Sequence, residues 1–322
     1  MLKRLFGAQT PSVLMDHHER TEEALGLWHA CDWGGLVALA DDLPTDSAFA
    51  LLLSVGMKAP LDTQFRSVPD GPAESRAYGA VLVMHAWRTR GFARGHEVTE
   101  DDWERCFDIV DMAVPALLTT VRADLQDGIA LSFLVRAATM SNDLSLLREA
   151  GDLLRRADRR PFEGLAWLLQ GWGRKWHGDH DQMQEIADEQ AYADDAHPAR
   201  LGVAVRALVE RWLWDAEMAD DPATQLRGRA IFALEETREW LDKTAADYER
   251  LMSVWPREED DPYAERFFAN QIGLAQYKTS RMDRARPHVE ALGDRPSMWP
   301  WCYELGEPDR RWHTVRRRVG LR

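Results

Sequence analysis

The densest group of metal-ligand residue types in this sequence is the run His177-Gly178-Asp179-His180-Asp181. Imidazoles and carboxylates are the side chains that bind Zn²⁺ and related divalent ions in proteins. Their order departs from the HxHxDH spacing of hydrolytic metal sites, and a His-Asp pair alone is too common to indicate a phosphohydrolase. We therefore favour a solvent-facing turn between two helices here, with a metal site as the alternative.

A second stretch with metal-binding character runs from Asn142 to Glu149 and reads NDLSLLRE. It resembles the second metal-binding motif of class I terpene synthases, which are all-α enzymes of about this length. That resemblance implies ligands facing one Mg²⁺ cluster. However, Ser145 follows Asp143 by two residues where the family has three, and residues 73–90 contain no Asp-rich partner motif. We predict a capped interhelical turn and keep a terpene synthase-like or other metal-dependent all-α enzyme as an alternative function.

The sequence motifs of other catalytic classes are absent. There is no GxSxG, P-loop, GxGxxG or HExxH in the sequence, so a standard nucleotide or nucleophile site is unsupported. His85 lies in an apolar helix without an accompanying Ser or Cys nucleophile motif, and we predict a core histidine there. We expect no catalytic residue and no cofactor.

Aromatic and arginine residues supply the candidates for binding. The chain has fourteen tryptophans, and five of them follow helical stripes that predict core positions, namely Trp103, Trp172, Trp176, Trp212 and Trp240. Trp214, Trp299 and Trp301 lie off the stripes, where rigid aromatic rings serve as interface anchors. The alternative is that the last two wedge the C-terminal segment against the preceding helices. We add Arg206 and Arg211, near Trp214, as groove residues, and expect Arg206→Glu to weaken partner capture without unfolding the chain.

The elements that must position these residues are helices. Apolar residues recur at helical spacing along most of the chain, and alternating strand patterns bounded by Asn-Gly or Asp-Gly turns are absent. The longest stripe runs from Leu226 to Trp255 and predicts one helix over about 224–255. Asp221-Pro222 and Asp261-Pro262 are typical helix starts. The predicted fold class is all-α.

A degenerate repeat links four places in the chain. Each has an apolar helix, a short polar turn and a second apolar helix, and the anchors Leu36, Leu146, Met183 and Ala285 are separated by 110, 37 and 102 residues. The spacing is close to multiples of the roughly 34-residue period of tetratricopeptide repeats, whose turns this layout resembles. The resemblance implies antiparallel helix pairs stacked as a TPR-like α-solenoid, with a groove that binds a peptide or protein. No copy carries the full family consensus.

The domain prediction is a single TPR-like helical domain over 1–322, with an N-terminal segment at 1–12 and a C-terminal cap at 293–322. The cap contains a basic helix, because six arginines stand against Asp309 and give a local charge near +5; they are Arg310, Arg311, Arg316, Arg317, Arg318 and Arg322. We favour docking of this helix on the protein's own acidic surface over contact with an acidic partner or phosphate.

Charge and composition narrow the function classes. Forty Lys and Arg against 54 Asp and Glu give a net charge of −14, which disfavours general binding to nucleic acid or anionic lipid. There is no apolar run long enough to span a membrane, the start of the chain does not read as a secretory signal, and the three cysteines form no CxxC pair. We expect a cytoplasmic, bacterial protein that binds a protein or peptide partner without catalysis. A further alternative is an accessory or immunity-type protein that binds a basic partner; the oligomeric state stays open.

Overall fold

In the computed structural model, the described residues are 18–60, 69–91, 97–193, 197–256, 260–305 and 308–321, and they form helices joined by turns. Within these ranges there is no β-strand, although Asp127 and Arg159 form an isolated parallel bridge. The predicted all-α fold class is therefore confirmed. None of the described helices combines the length and the apolar character that crossing a membrane requires.

The helices pack as two compact units, His17–Gly171 and Trp172–Arg322, which we call the first and the second unit. The single domain over 1–322 stays a prediction, and the N-terminal segment 1–12 lies outside the described residues.

In the first unit, the described residues contain eight α-helices. They are α1 (Thr21–His29), α2 (Trp33–Asp41), α3 (Thr45–Lys58), α4 (Pro72–Arg90), α5 (Glu100–Ala123), α6 (Gly128–Ser141), α7 (Leu144–Arg156) and α8 (Phe162–Gly171). Helix α4 packs against α2, α3, α5 and α6 and is buried on nearly every side from Ser75 to Trp87. A helix that is apolar around its whole circumference is stable only when its neighbours cover it, which explains this central position.

Two features organise the core of the first unit. Phe49, Phe133 and Trp167 form an aromatic cluster in which the ring centroids of Phe49 lie 4.9 Å from Phe133 and 5.0 Å from Trp167. Helix α3 approaches α4 closely at Gly56, where a Cβ atom would lie 2.5 Å from the Met84 Cβ and 2.8 Å from the Val81 carbonyl oxygen. Gly56 therefore sets the distance between these two helices.

The second unit contains, in its described part, eight further α-helices. They are α9 (His180–Ala191), α10 (Leu201–Leu213), α11 (Pro222–Ala230), α12 (Glu235–Met252), α13 (Pro262–Lys278), α14 (Met282–Leu292), α15 (Met298–Leu305) and α16 (Pro308–Arg318). Short 3₁₀ helices lie at Pro198–Arg200 and Ile231–Ala233, and a π-helix follows α10 at Trp214–Met218. Helices α10 and α13 pack against each other and contact most of the other helices of this unit.

The single helix predicted over about 224–255 is wrong. The chain forms α11, the 3₁₀ turn at Ile231–Ala233 and then α12, with an extended residue at Leu234 (φ −66°, ψ 135°). The break turns Phe232 into the core, where its ring lies 6.0 Å from that of Trp212. Helical spacing of apolar residues on both sides of the turn hides such a break, because the stripe continues across it.

The short turn between two helices predicted at four places is confirmed at three of them, whereas at the fourth the eight residues 172–179 separate α8 from α9 and Trp176 is not helical. In three of them a non-glycine residue with positive φ stands directly before the N-cap of the second helix: Cys31, Asn142 and Ser280. Asp32 and Asp143 then cap the helix, accepting hydrogen bonds from the backbone N–H groups of Gly35 and Leu146. At the fourth place Asp179 caps α9. The TPR-like stacking of these pairs stays a prediction.

The basic helix α16 docks on its own unit. Arg316 pairs with Asp294, and Arg318 donates a hydrogen bond to the Tyr277 hydroxyl at 2.7 Å. The indole N–H of Trp312 donates to the Gly293 carbonyl at 2.8 Å. Arg311 and Arg317 are exposed, and the side chains of Arg310 and Arg322 lie outside the described part of the chain.

Candidate functional site

The residues at 177–181, which include metal-ligand side chains, lie at the N-terminus of helix α9. One carboxylate oxygen of Asp179 accepts from the backbone N–H groups of Asp181 and Gln182, each at 2.9 Å, and thereby caps α9. The Nε2 atom of His180 lies 3.0 Å from the Asp215 carboxylate in the π-helix. Across the described residues, no three His, Cys, Asp or Glu side chains converge on a point where they would hold a metal ion.

The terpene synthase-like stretch also forms a turn. Asp143 caps α7 through a 3.0 Å hydrogen bond from the Leu146 backbone N–H. The Ser145 hydroxyl donates to Glu149 at 3.3 Å, one helical turn further along. The predicted capped turn is confirmed.

The five predicted binding residues do not form one surface. Arg206 and Trp301 are both 0% exposed, so neither side chain has atoms with which to contact a partner in this fold. Trp214 and Trp299 are half-buried, and Arg211 is exposed. A separation of five residues places Arg206 and Arg211 about 140° apart around α10, which is why one reaches solvent and the other does not.

Trp301 holds the C-terminal cap on the unit. Its indole N–H donates to the Asn270 side-chain oxygen at 3.0 Å, and the same oxygen accepts from the Ser297 backbone at 2.9 Å. Its ring packs edge-on against Trp312 at 4.8 Å and Tyr277 at 6.1 Å. This is the wedging alternative stated for this residue from the sequence.

Arg206 belongs to a buried network of charged groups. Its Nε donates to Glu210 at 2.8 Å, and Lys175 binds the other carboxylate oxygen at 2.8 Å. The Tyr303 hydroxyl donates to Glu210 at 2.8 Å and accepts from Arg206 at 3.3 Å and Lys175 at 3.2 Å. Arg206→Glu would place a second carboxylate beside Glu210, so the expectation that this change leaves folding intact conflicts with the structure.

Burial raises the pKa of two groups in or beside this network. Burial, followed by the charge of Glu210, holds the pKa of Tyr303 well above its ordinary value. Burial likewise raises the pKa of the Cys302 thiol to about 12, against the opposing effect of Arg206 and Lys175. Both groups stay protonated at neutral pH, so Tyr303 acts as a donor to Glu210 and fixes α15 to α10.

The opposite face of α10 lines an open groove of about 230 Å³. Helix α9, helix α10 and the start of α12 supply the residues that line it. We call it the α10 groove and define it by Gln184, Asp188, Tyr192, Ala204, Leu208, Arg211, Glu236, Thr237 and Trp240. One face of α10 carries Ala204, Leu208 and Arg211. Arg206 and Glu210 each follow a residue of that face by two positions and therefore lie on the opposite face.

The rim of the α10 groove combines an exposed aromatic ring with charge. Tyr192 at the end of α9 is 71% exposed. Asp188 accepts a hydrogen bond from the Gln184 amide at 2.8 Å, and Arg211 lies 3.6 Å from Asp215. Because Asp215 offsets the charge of Arg211, the carboxylates of Asp188 and Glu236 set the sign of the potential at the rim.

Sequence reasoning found one residue of this groove, Arg211, and missed the rest. Of the five tryptophans predicted as core, Trp212 is buried and the other four, Trp240 of the groove among them, are half-buried. The i, i+4, i+8 spacing of Gln184, Asp188 and Tyr192 was a readable signal, since it aligns two polar residues and an aromatic one on a single helix face.

Comparisons with protein-family models, with curated proteins and with solved structures gave no significant match to this chain.

Proposed function

We propose that this chain is a non-catalytic interaction protein that binds a peptide or protein segment in the α10 groove. The observation that carries the proposal is an open concavity of about 230 Å³ that is lined by the half-buried apolar side chains of Leu208 and Trp240 and by the exposed ring of Tyr192. Large rigid aromatic side chains in a concave site are typical anchors for partner side chains, because they bury much apolar area at low entropic cost.

The surroundings of the groove support preorganisation. The network of Lys175, Arg206, Glu210 and Tyr303 fixes α10 from its buried side, and α9 packs directly against α10. A scaffold held in this way orders few of its own groups when a segment binds, so less binding free energy is lost to entropy.

The repeated turns support a TPR-like relation between the helix pairs as part of the same proposal. The pairs α1–α2, α6–α7 and α13–α14 share the positive-φ residue directly before the second helix. A crystal structure in which these three pairs superpose with one crossing angle would support this relation. Three different crossing angles would contradict it.

A selection from a random peptide library on the immobilised chain tests the binding proposal. We expect the selected peptides to bind Tyr192→Ala more weakly by about tenfold or more, as for loss of an interface anchor. The matched control is Leu226→Ala, because Leu226 is also 71% exposed and lies outside the groove. Peptides that bind both variants like the native chain would show that the groove is not the binding site.

A further inference from the structure

We propose that the α10 groove selects a basic amphipathic helix, so that a cationic segment with one apolar face is its natural occupant. This inference rests on the proposed function and specifies the chemistry of the partner. Its basis is that apolar and acidic side chains line the same groove, a combination that neither a neutral nor an acidic segment would match.

The acidic side chains come from two helices. Helix α9 carries four carboxylates and no Lys or Arg: Asp181, Glu185, Asp188 and Glu189. Across the groove, α12 begins with Glu235 and Glu236. The guanidinium of Arg238 lies 3.5 Å from the Glu235 carboxylate and offsets its charge. Asp188 and Glu236 themselves line the groove.

The single cation that lines the groove, within the described residues, does not reverse this sign. Arg211 projects from α10, and its Nε atom lies 3.6 Å from a carboxylate oxygen of Asp215. The local charge of Arg211 and Asp215 together is therefore zero. A Lys or Arg of a bound segment would meet the carboxylates of Asp188 and Glu236, the two acidic residues that line the groove.

The apolar residues that line the groove determine which face of the bound helix inserts. The half-buried side chains of Leu208 and Trp240 and the exposed ring of Tyr192 line the groove together with Asp188 and Glu236. A volume of about 230 Å³ is on the scale of side chains and not of a whole helix. One face of the bound helix therefore inserts its anchors, while its charged flanks lie along the rim, as in other helix-in-groove complexes.

The test uses two synthetic helical peptides that differ only in charge. The first has Leu at i, i+3, i+4 and i+7 with Lys elsewhere, and the second has Glu in place of every Lys. Each carries a fluorescent label, and binding to the full chain is measured by anisotropy at low and at near-physiological salt. We expect the Lys peptide to bind more tightly than the Glu peptide by more than about tenfold, with the difference shrinking as salt rises.

Two charge-reversed variants locate the effect. Asp188→Lys/Glu236→Lys changes the groove, whereas Glu249→Lys/Glu290→Lys makes the same change of net charge at exposed residues of α12 and α14 that do not line it. We expect the groove variant to lose the preference for the Lys peptide by about tenfold and the control to keep it within about twofold. Equal losses in both variants would overturn the inference, since they would show attraction to net charge alone.

A third variant separates this inference from the function on which it rests. If both peptides bind equally and Tyr192→Ala weakens both, the groove binds helices and the preference for basic ones is overturned. If Tyr192→Ala changes neither affinity, the proposed function of the groove fails as well.

Discussion

At the scale of single residues, the two units bury guanidinium groups in different ways. Arg206 in the second unit forms an ion pair with Glu210, and both side chains are almost completely enclosed. Arg136 in the first unit stacks over Trp87, with 3.5 Å between its Cζ and the ring centroid, and donates to the Gln170 amide oxygen at 3.0 Å. Ion pairing and cation–π contact both offset the cost of removing a cation from water.

Removing the carboxylate from the buried network should be costly. Glu210→Ala leaves Arg206 and Lys175 close together without their anion, and we expect it to lower the free energy of unfolding by about 3–5 kcal/mol. The exposed neighbour Arg211→Ala breaks only a long surface pair and should cost less than about 1 kcal/mol. Urea denaturation followed by tryptophan fluorescence measures both. A loss below about 1 kcal/mol for Glu210→Ala would mean that the network does not stabilise the fold.

A buried histidine should make stability depend on pH. Burial lowers the pKa of His288 to about 4, and burial also lowers the pKa of His197. The unfolded chain takes up a proton on His288 near pH 6.5, whereas the folded chain does not. The contribution of neutral His288 to the free energy of unfolding is therefore complete above that pH and is lost as the pH falls towards 4. For His288 the loss reaches about 3 kcal/mol.

Unfolding free energies measured between neutral pH and about pH 4.5 test this dependence. His288→Gln should flatten the decline, whereas the exposed His313→Gln should leave it unchanged. An identical pH profile for His288→Gln and the native chain would contradict the assignment to this residue.

At the scale of elements, helix contacts are decided by single small residues. A Cβ at Gly56 would collide with the Val81 backbone, which cannot rotate away as a side chain can. We expect Gly56→Ala to destabilise the chain by about 1–3 kcal/mol, because α3 and α4 must move apart.

Gly26→Ala provides the matched comparison for that change. Gly26 lies inside α1, and apart from its chain neighbours and the backbone of its own helix no atom lies within 4 Å of the position its Cβ would take. The substitution should therefore stabilise the chain by about 0.5–1 kcal/mol through helix propensity alone. Thermal or urea unfolding measures the change in stability of each variant. If the space around each glycine governs that change, the two changes have opposite signs, and equal signs would contradict this explanation.

At the scale of the whole molecule, the net charge of −14 should act as a repulsion within the folded chain. Raising NaCl from a low concentration to about 0.15 M shortens the Debye length to about 8 Å and screens that repulsion. We expect the melting temperature to rise by about 1–2 °C, corresponding to roughly 1 kcal/mol.

A variant with less negative charge checks the cause of the salt effect. Glu249→Lys/Glu290→Lys reduces the net charge from −14 to −14 + 4 = −10 and should show a smaller rise in melting temperature. A melting temperature that falls with salt would mean that attractive ion pairs outweigh the repulsion.

The sequence by itself determined the fold class and the local structure. Helical spacing, the proline-led helix starts and the capping aspartates are set by residues within a few positions of one another, so Asp143, Asp179 and Asp221 act as N-caps in the structure. The polar turns at 31–32 and 142–143 were readable for the same reason.

Only the tertiary structure decided the environment of the candidate site. The α10 groove needs residues from α9, α10 and α12, which no local pattern brings together. Arg206 is buried because Glu210 and Tyr303 meet it there, and Lys175 binds the same Glu210; Tyr303 and Lys175 are both distant from Arg206 in the chain. A charged residue is expected at the surface unless partners meet it in the core. Spacing within α10 places Glu210 beside Arg206, but only packing against other segments brings Tyr303 and Lys175 there and encloses the pair.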